Sequence, residues 1–131
     1  MRIEVAKHVV EAMQSAALAA HPHEACGILL GEGKRIVGFI ATRNVHTEPA
    51  THFEIDPQAL IDAHRAAREG GPQVVGYYHS HPVGPAEPSQ TDRAMASGDG
   101  RIWAIVADGG VSFWQDSLNG FAVVSHELIE E

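Results

Sequence analysis

The sequence is poor in cysteine, in basic residues and in long apolar runs. Its single cysteine, Cys26, excludes an intrachain disulfide framework and is typical of a reducing compartment. Nine Lys and Arg face seventeen Asp and Glu, and the resulting formal net charge of -8 opposes binding to a phosphate backbone. No segment is apolar for long enough to span a bilayer or to act as a secretory signal. These absences predict a cytoplasmic protein with neither nucleic acid nor membrane as a partner.

The chain has the length of one ordinary domain. At 131 residues it can bury about two thirds of its unfolded surface around one core. No internal repeat, low-complexity tract or linker divides it, so the order of helices and strands predicts a single α+β domain over residues 1–131. The sequence does not fix the oligomeric state, and a homodimer stays open.

The spacing of apolar residues predicts three helices and seven strands. The helices are predicted over 5–20, from Asp56 as N-cap and Pro57 as first helical residue to Gly70, and over 89–96. The strands are predicted over 24–31, 35–42, 52–55, 74–78, 102–107, 111–115 and 120–125.

The most chemically capable stretch is 78–92, which reads Tyr-His-Ser-His-Pro-Val-Gly-Pro-Ala-Glu-Pro-Ser-Gln-Thr-Asp. His79 and His81 are two residues apart, so a continuing strand would project both imidazoles from one face. After a proline-rich turn, Ser89 stands where a helix would begin, and Asp92 follows one turn later. Two imidazoles and a carboxylate, with a fourth position left for water, form a ligand set of catalytic zinc. His79, His81 and Asp92 are the predicted zinc ligands.

Hydrolysis at such a site also needs a proton carrier. Glu24 is the leading candidate for the general base, because it opens a buried strand that could lie beside the strand carrying His79. Ser89 could donate a hydrogen bond to the oxyanion as it forms.

Each of these residues also has a simpler explanation. An isolated His-x-His is a weak signal, and His79 and His81 alone could be ordinary strand-end histidines. Ser89 and Asp92 alone could be the N-cap and first-turn acid of a helix. The conjunction favours a metal site, because a tight turn makes the histidine strand and the capped helix meet at one place.

Other reactive or aromatic side chains are predicted to have structural roles. A second His-x-His, His21 and His23, is interrupted by a proline in a helix-to-strand connection and lacks a third ligand at fixed spacing, so it is not predicted to bind metal. Cys26 lies in an apolar run and is predicted to pack as a small hydrophobe rather than to act as a nucleophile. Trp103 and Trp114 are predicted to pack on their strands.

The combined pattern resembles the JAMM motif of the MPN (JAB1/MPN/Mov34) metalloprotease family. The motif consists of His79-Ser80-His81-Pro82 followed by Ser89-x-x-Asp92, with seven residues between His81 and Ser89. Upstream, Pro22-x-Glu24-x-Cys26-Gly27-x-Leu29-x-Gly31 is similar to the family segment that bears the catalytic glutamate. Asn44 with Phe53-x-Ile55-Asp56-Pro57 is similar to its middle region.

The resemblance implies a curved, mostly antiparallel β-sheet flanked by helices, with a cytidine-deaminase-like core. It also implies zinc on His79, His81 and Asp92, Glu24 as general acid and base, and Ser89 as a donor to the tetrahedral intermediate. Family members cleave peptide or isopeptide bonds after the C-terminal glycine of ubiquitin or ubiquitin-like proteins. The chain lacks long insertions and so resembles the stand-alone prokaryotic branch. Its bacterial members release cysteine or another adduct from a ubiquitin-like sulfur-carrier protein, which is the expected substrate.

Two alternatives come from other functional classes. Some relatives are metal-free MPN scaffolds that have lost ligands, although every motif position is present here. A bacterial family associated with DNA repair carries a similar motif, which would make the protein a metal-dependent DNA-processing factor. The acidic charge argues against that alternative.

Overall fold

Seven strands and three helices form a mixed α+β fold. The computed structural model describes residues 1–130, and residue 131 of the predicted domain lies outside the described residues. In chain order the elements are β1 (Arg2–Ala6), α1 (Lys7–Ala20), β2 (Cys26–Glu32), β3 (Arg35–Thr42), α2 (Pro57–Arg68), β4 (Gln73–Ser80), α3 (Gln90–Met95), β5 (Ile102–Ala107), β6 (Gly110–Ser117) and β7 (Gly120–Ile129). None of the helices within 1–130 has the length and apolarity to cross a lipid bilayer.

The strands close into a barrel in the order β1-β3-β2-β4-β5-β6-β7. Four pairings are antiparallel, β2 with β3 and β4, and β6 with β5 and β7. Three are parallel, β1 with β3 and β7, and β4 with β5. The predicted curved, mostly antiparallel sheet is confirmed, and its curvature continues to closure because β1 fills the gap between β3 and β7.

The first strand is the main correction to the sequence prediction. A helix was predicted from residue 5, but Arg2–Ala6 is a strand and α1 begins at Lys7. Ile3 and Val5 are both buried because alternate residues of this strand face the core. Val5 and Val9 are also one helical turn apart, so the same apolar spacing fits a helix and misled the prediction.

The predicted strand over 52–55 is also wrong. Only an isolated bridge joins Asn44 to Ile55, and the segment between them is a loop. The remaining elements occur with shifted ends: β2 begins at Cys26 rather than at residue 24, and β7 extends to Ile129. The start of α2 is confirmed, since the carboxylate of Asp56 accepts a hydrogen bond from Gln58 N–H at 3.0 Å.

Two apolar clusters lie on opposite sides of β2 and β4. On one side, α1 contributes Val9 and Met13, and the Tyr78 hydroxyl donates to the Met13 carbonyl at 2.8 Å. On the other side, Phe53 and Trp103 belong to a cluster that also includes residues of α2. Alternate residues of β2 and β4 therefore belong to different clusters. Both strands are held from two directions where they approach the predicted site.

Candidate metal centre

β4 and its continuation bring the two histidines together. His79 lies in β4, opposite Cys26 of β2 and Ile105 of β5. His81 follows the strand, and its N–H donates to the Val106 carbonyl at 2.8 Å, which extends the pairing by one residue. The two Nε2 atoms lie 3.1 Å apart. The shared face predicted from the two-residue spacing is confirmed.

The start of α3 places the carboxylate of Asp92. Ser89 is the N-cap, as predicted: its Oγ accepts from Asp92 N–H at 3.0 Å, and Asp92 Oδ2 accepts from Ser89 N–H at 2.9 Å. The same Oδ2 lies 3.0 Å from Nε2 of His79 and of His81. The capping box therefore aims a predicted ligand at the histidine pair.

The spacing and chemistry of these three side chains fit a metal ion. Their donor atoms lie 3.0 to 3.1 Å from one another, and all three side chains are buried. Ligands about 2.0 to 2.1 Å from a tetrahedral zinc ion would be separated by about 3.3 Å, which is close to the observed spacing. Two imidazoles and one carboxylate also leave a fourth coordination position for water or substrate.

The surroundings favour a neutral imidazole at His79 and an ionised carboxylate at Asp92. Burial lowers the pKa of His79 despite the opposing effect of Asp92, so this imidazole is neutral near neutral pH. Burial alone would raise the pKa of Asp92, but hydrogen bonds from His79, His81 and Ser89 N–H hold it well below its usual range. Burial lowers the pKa of His81, but Asp92 and the Pro85 carbonyl raise it overall. A metal binding there would displace the His81 proton.

Aromatic rings fix the plane of the His79 imidazole. Phe53 stacks on it with ring centroids 4.3 Å apart and an interplanar angle of 14°. Trp103 meets the same imidazole edge-on, with centroids 5.6 Å apart and planes at 89°. The packing role predicted for Trp103 is confirmed. Sequence reasoning missed that its packing partner is a predicted ligand, because no spacing rule links residues on separate elements.

Glu24 lies two residues before β2 and is buried, with 6% of its surface exposed. Its Oε1 is buried and has no hydrogen-bond partner among residues 1–130. Burial raises the pKa of this carboxyl to about 7, while His81 lowers it and Asp92 raises it further. A carboxyl with such a pKa can both accept and deliver a proton near neutral pH.

Glu24, His81 and Ser89 line one cleft of about 570 Å³. Residues of the turn over 82–88 also line it, as do Ala50 and Thr51 of the loop after β3. The other two predicted site residues, His79 and Asp92, both contact His81. This arrangement can bind a metal, present a proton carrier beside it and admit an extended chain.

The remaining candidates lie outside the metal cluster. His21 and His23 are exposed, and neither belongs to the one three-ligand group found in the described part of the chain. His21 lies on the wall of the cleft. Cys26 is buried, with its Sγ 3.5 Å from Thr42 Oγ1 and from the Arg43 carbonyl, which agrees with the packing role predicted for it.

Solved structures share this fold. The solution structure of a protein from Desulfitobacterium hafniense matches 100% of this chain and 94% of its own, with a TM-score of 0.85 and 28% identity. The crystal structure of a JAB1/MPN domain protein from Archaeoglobus fulgidus matches 98% of this chain and 97% of its own, with a TM-score of 0.66 and 20% identity. The architecture is therefore that of a JAB1/MPN domain.

The sequence identifies the family within that class. The family model described as prokaryotic homologues of the JAB domain matches residues 6–117. The chain belongs to this family, the prokaryotic part of the JAMM/MPN proteins, as the motif resemblance predicted.

Several curated relatives are peptidases by name. The chain is 35% identical over 91 residues to a desampylase of Haloferax volcanii, covering 68% of this chain and 66% of the relative. It is 35% identical over 88 residues to a probable TtuB-protein conjugate cleaving protease of Thermus thermophilus, covering 67% and 59%. It is 36% identical over 91 residues to a CysO-cysteine peptidase of Mycobacterium tuberculosis, covering 68% and 62%. Tail tip assembly protein K of Escherichia phage N15 also matches, over 38% of its length. The chain spans less than two thirds of the length of each of these relatives.

Proposed function

We propose that this protein is a zinc-dependent metallopeptidase. Its reaction is hydrolysis of a peptide or isopeptide bond after the C-terminal glycine of a ubiquitin-like, sulfur-carrier protein in the cytoplasm. The observation that carries the proposal is the convergence of His79, His81 and Asp92 on one point, next to a cleft that His81 and the buried Glu24 both line. Oε1 of Glu24 has no hydrogen-bond partner among residues 1–130.

His79, His81 and Asp92 would hold the zinc ion. The donor set favours zinc, because two imidazoles and one carboxylate are characteristic of its catalytic sites. A zinc ion bound there supplies a Lewis acid that polarises a carbonyl and lowers the pKa of water toward about 7. Phe53 and Trp103 keep the His79 ring in its ligating orientation by packing against it.

Glu24 and Ser89 supply the remaining chemistry. Glu24 takes the proton of the attacking water and delivers it to the leaving amine, for which a pKa of about 7 is well matched. Ser89 Oγ accepts from Asp92 N–H, which leaves its own hydroxyl hydrogen free to be donated to the oxyanion in the cleft. Burial of Glu24 strengthens its interactions by excluding water.

The substrate class rests on relatives and on the shape of the cleft. Two relatives are named for action on TtuB-protein conjugates and on CysO-cysteine. The cleft is lined by residues of the 82–88 turn and by Ala50 and Thr51, and a flexible chain ending in glycine can enter it more easily than a folded surface can. We infer that the carrier's tail enters this cleft as an extended segment.

The decisive experiment offers the zinc-loaded protein the host's own ubiquitin-like carriers, each extended past its terminal glycine by cysteine or a peptide, or joined there to a lysine side chain. Mass spectrometry reads the cut. We expect cleavage after the glycine, and a loss of about 10²- to 10⁴-fold in Glu24→Gln with zinc retained. Glu11→Gln, which changes an exposed carboxylate of α1 away from the cleft, is the matched control.

Three results would count against the proposal. A parent protein that is free of zinc as isolated and cuts none of these carriers would favour the scaffold alternative. Near-normal turnover in Glu24→Gln would remove this residue from the proton transfer. DNA binding that weakens with added salt would instead favour the DNA-processing alternative.

A further inference from the structure

We propose that Asn44 is a positioning residue for Glu24. It acts by holding the backbone from which the Glu24 carboxylate projects, through the loop that joins β3 to α2. The inference deepens the proposed function and rests on it where catalysis is concerned. The structural part stands on hydrogen bonds that are independent of the reaction.

The side-chain amide of Asn44 is bonded on both of its ends. Its Nδ2 donates to the carbonyl of Glu24 at 3.1 Å, to that of His52 at 2.9 Å and, at a longer 3.5 Å, to that of Pro49. Its Oδ1 accepts from the N–H groups of His46 and Glu54, both at 3.1 Å. The Asn44 side chain therefore joins several parts of the loop to one another and also joins the loop to Glu24.

Glu24 depends on this loop because no strand pairing holds it. β2 begins at Cys26, and Ala25 is already fixed to β4 by two hydrogen bonds with Ser80, at 2.8 and 3.0 Å. Glu24 is one residue further out. Its N–H donates to the Pro49 carbonyl at 2.7 Å, and its own carbonyl accepts from Asn44. Both backbone polar groups of Glu24 thus end in the loop.

The carboxylate of Glu24 has little else to set its position. Oε1 has no hydrogen-bond partner among residues 1–130, so the backbone and the surrounding packing determine where this oxygen lies. Displacing a reacting group by about 1 Å can reduce a rate about 100-fold. The same loop lines the cleft through Ala50 and Thr51. A substrate that moves the loop would therefore move the attachment of Glu24 as well.

Asn44→Asp tests whether Asn44 positions Glu24 or only holds the loop together. The carboxylate keeps an oxygen that can accept from His46 and Glu54 N–H. It loses the two N–H donors and turns an oxygen toward the Glu24 carbonyl, which it repels. Asn44→Ala is the second variant and lacks the new charge. Asn119→Asp, in the exposed turn between β6 and β7, is the matched control for the same chemical change.

The kinetic test compares kcat and KM on a cleaved carrier. We expect Asn44→Asp and Asn44→Ala to lower kcat about 10- to 100-fold, with KM changed less than about threefold and bound zinc unchanged. Asn119→Asp should match the parent. In a Glu24→Gln background, Asn44→Asp should change the residual kcat by less than about twofold, because the two residues act through one group. An equal loss in both backgrounds, or a change confined to KM, would overturn the inference.

A second measurement needs no activity. Hydrogen exchange of metal-free protein should show the Glu24 amide exchanging at least about 10-fold faster in Asn44→Asp than in the parent, while the His46 and Glu54 amides keep their protection. Unchanged exchange at Glu24 would overturn the inference. If the parent cleaves no carrier, the proposed function fails and exchange alone decides whether Asn44 holds Glu24.

Discussion

The chain contains two His-x-His pairs that differ in everything except their spacing. His79 and His81 stand at the end of a paired strand, with their Nε2 atoms 3.1 Å apart. His21 and His23 stand in the turn after α1, where their backbone N–H groups donate to the carbonyls of Ala17 and Ala20. The second pair contributes backbone groups that end a helix, and its side chains are exposed. A two-residue spacing makes a bidentate site only where the backbone is extended and held on both edges.

The two histidine pairs also differ in the residues that surround them. The first pair meets a carboxylate that is aimed by a helix cap, and one of its rings is packed by two aromatic side chains. The second pair follows a helix whose last turn exposes Leu18, 81% accessible to solvent. Ligand geometry therefore comes from burial and from the neighbouring elements, and not from the histidines themselves.

The largest expected effect is on metal binding. His81→Ala removes one of three ligands and should weaken zinc by at least about 1,000-fold, roughly 4 kcal/mol, as one ligand's share of the about 10 to 16 kcal/mol of a tight zinc site. His23→Ala should bind zinc as the parent does. Titration against a chelating dye measures both. Equal weakening in the two variants would erase the distinction between the pairs.

Next in size is the packing behind the first pair. Phe53→Ala leaves a cavity against His79 and Trp103 and should lower the free energy of unfolding by about 3 to 4 kcal/mol. Leu18→Ala, beside the second pair, should stay within about 0.5 kcal/mol of the parent. Urea denaturation of metal-free protein gives both values. A small loss in Phe53→Ala would mean that the His79 ring is held by other contacts.

A third prediction concerns the pH dependence of stability that arises from Glu24, the buried acid near the first pair. Burial raises the pKa of Glu24 to about 7, above its ordinary value of 4.5, so the folded state binds this proton more tightly than the unfolded state does. Stability from this group is therefore fully present below pH 4.5 and is lost as pH rises through 7. Glu24→Gln should be more stable than the parent by about 2 to 3 kcal/mol at pH 8, and by almost nothing at pH 4.5.

Thermal unfolding of the metal-free proteins across this pH range measures that difference. Glu87→Gln changes an exposed carboxylate of the same cleft and should show no comparable pH-dependent gain. A Glu24→Gln curve parallel to that of the parent would show that the buried carboxylate costs the fold nothing when ionised.

The smallest effect is expected at the cap that aims Asp92. Ser89→Ala removes the hydrogen bond from Asp92 N–H and should cost about 1 kcal/mol of stability, with a further loss of kcat if the hydroxyl assists the oxyanion. Ser89→Thr keeps a capping oxygen and is the matched control. If Ser89→Ala retains both stability and kcat, the cap is not needed to hold the third ligand.

The parts of the site that could be predicted from sequence are those fixed by local rules. Strand periodicity placed His79 and His81 on one face, and helix-cap chemistry placed Asp92 one turn after Ser89. The contact of Asn44 with Glu24 could not be predicted in this way, because a side-chain amide bonded to a distant carbonyl has no periodic pattern. The same holds for Asp116, a buried acid of β6 whose Oδ2 accepts from Ser97 and Gly98 N–H and so holds the segment after α3.

Local patterns in the sequence also predicted most of the helices and strands of the fold. The apolar periodicity gave three helices and six of the seven strands, and the N-cap pair Asp56-Pro57 gave the start of α2. It did not give β1, because five residues with three buried positions, Ile3, Val5 and Ala6, fit a strand and a helix about equally. Closure of the barrel could not be predicted either, because it depends on β1. Pairing between distant segments is set by tertiary packing rather than by local propensity.

The pairing of β1 with β7 also sets an order of assembly. It joins Arg2–Ala6 to residues 125–129, almost the full length of the described chain apart. Closing so long a loop costs conformational entropy, and on the ribosome β7 is made long after β1. β1 can pair with β3 early, but its other edge stays open until β7 emerges. An open strand edge is a template for other chains, so the nascent protein is exposed to aggregation until the barrel closes.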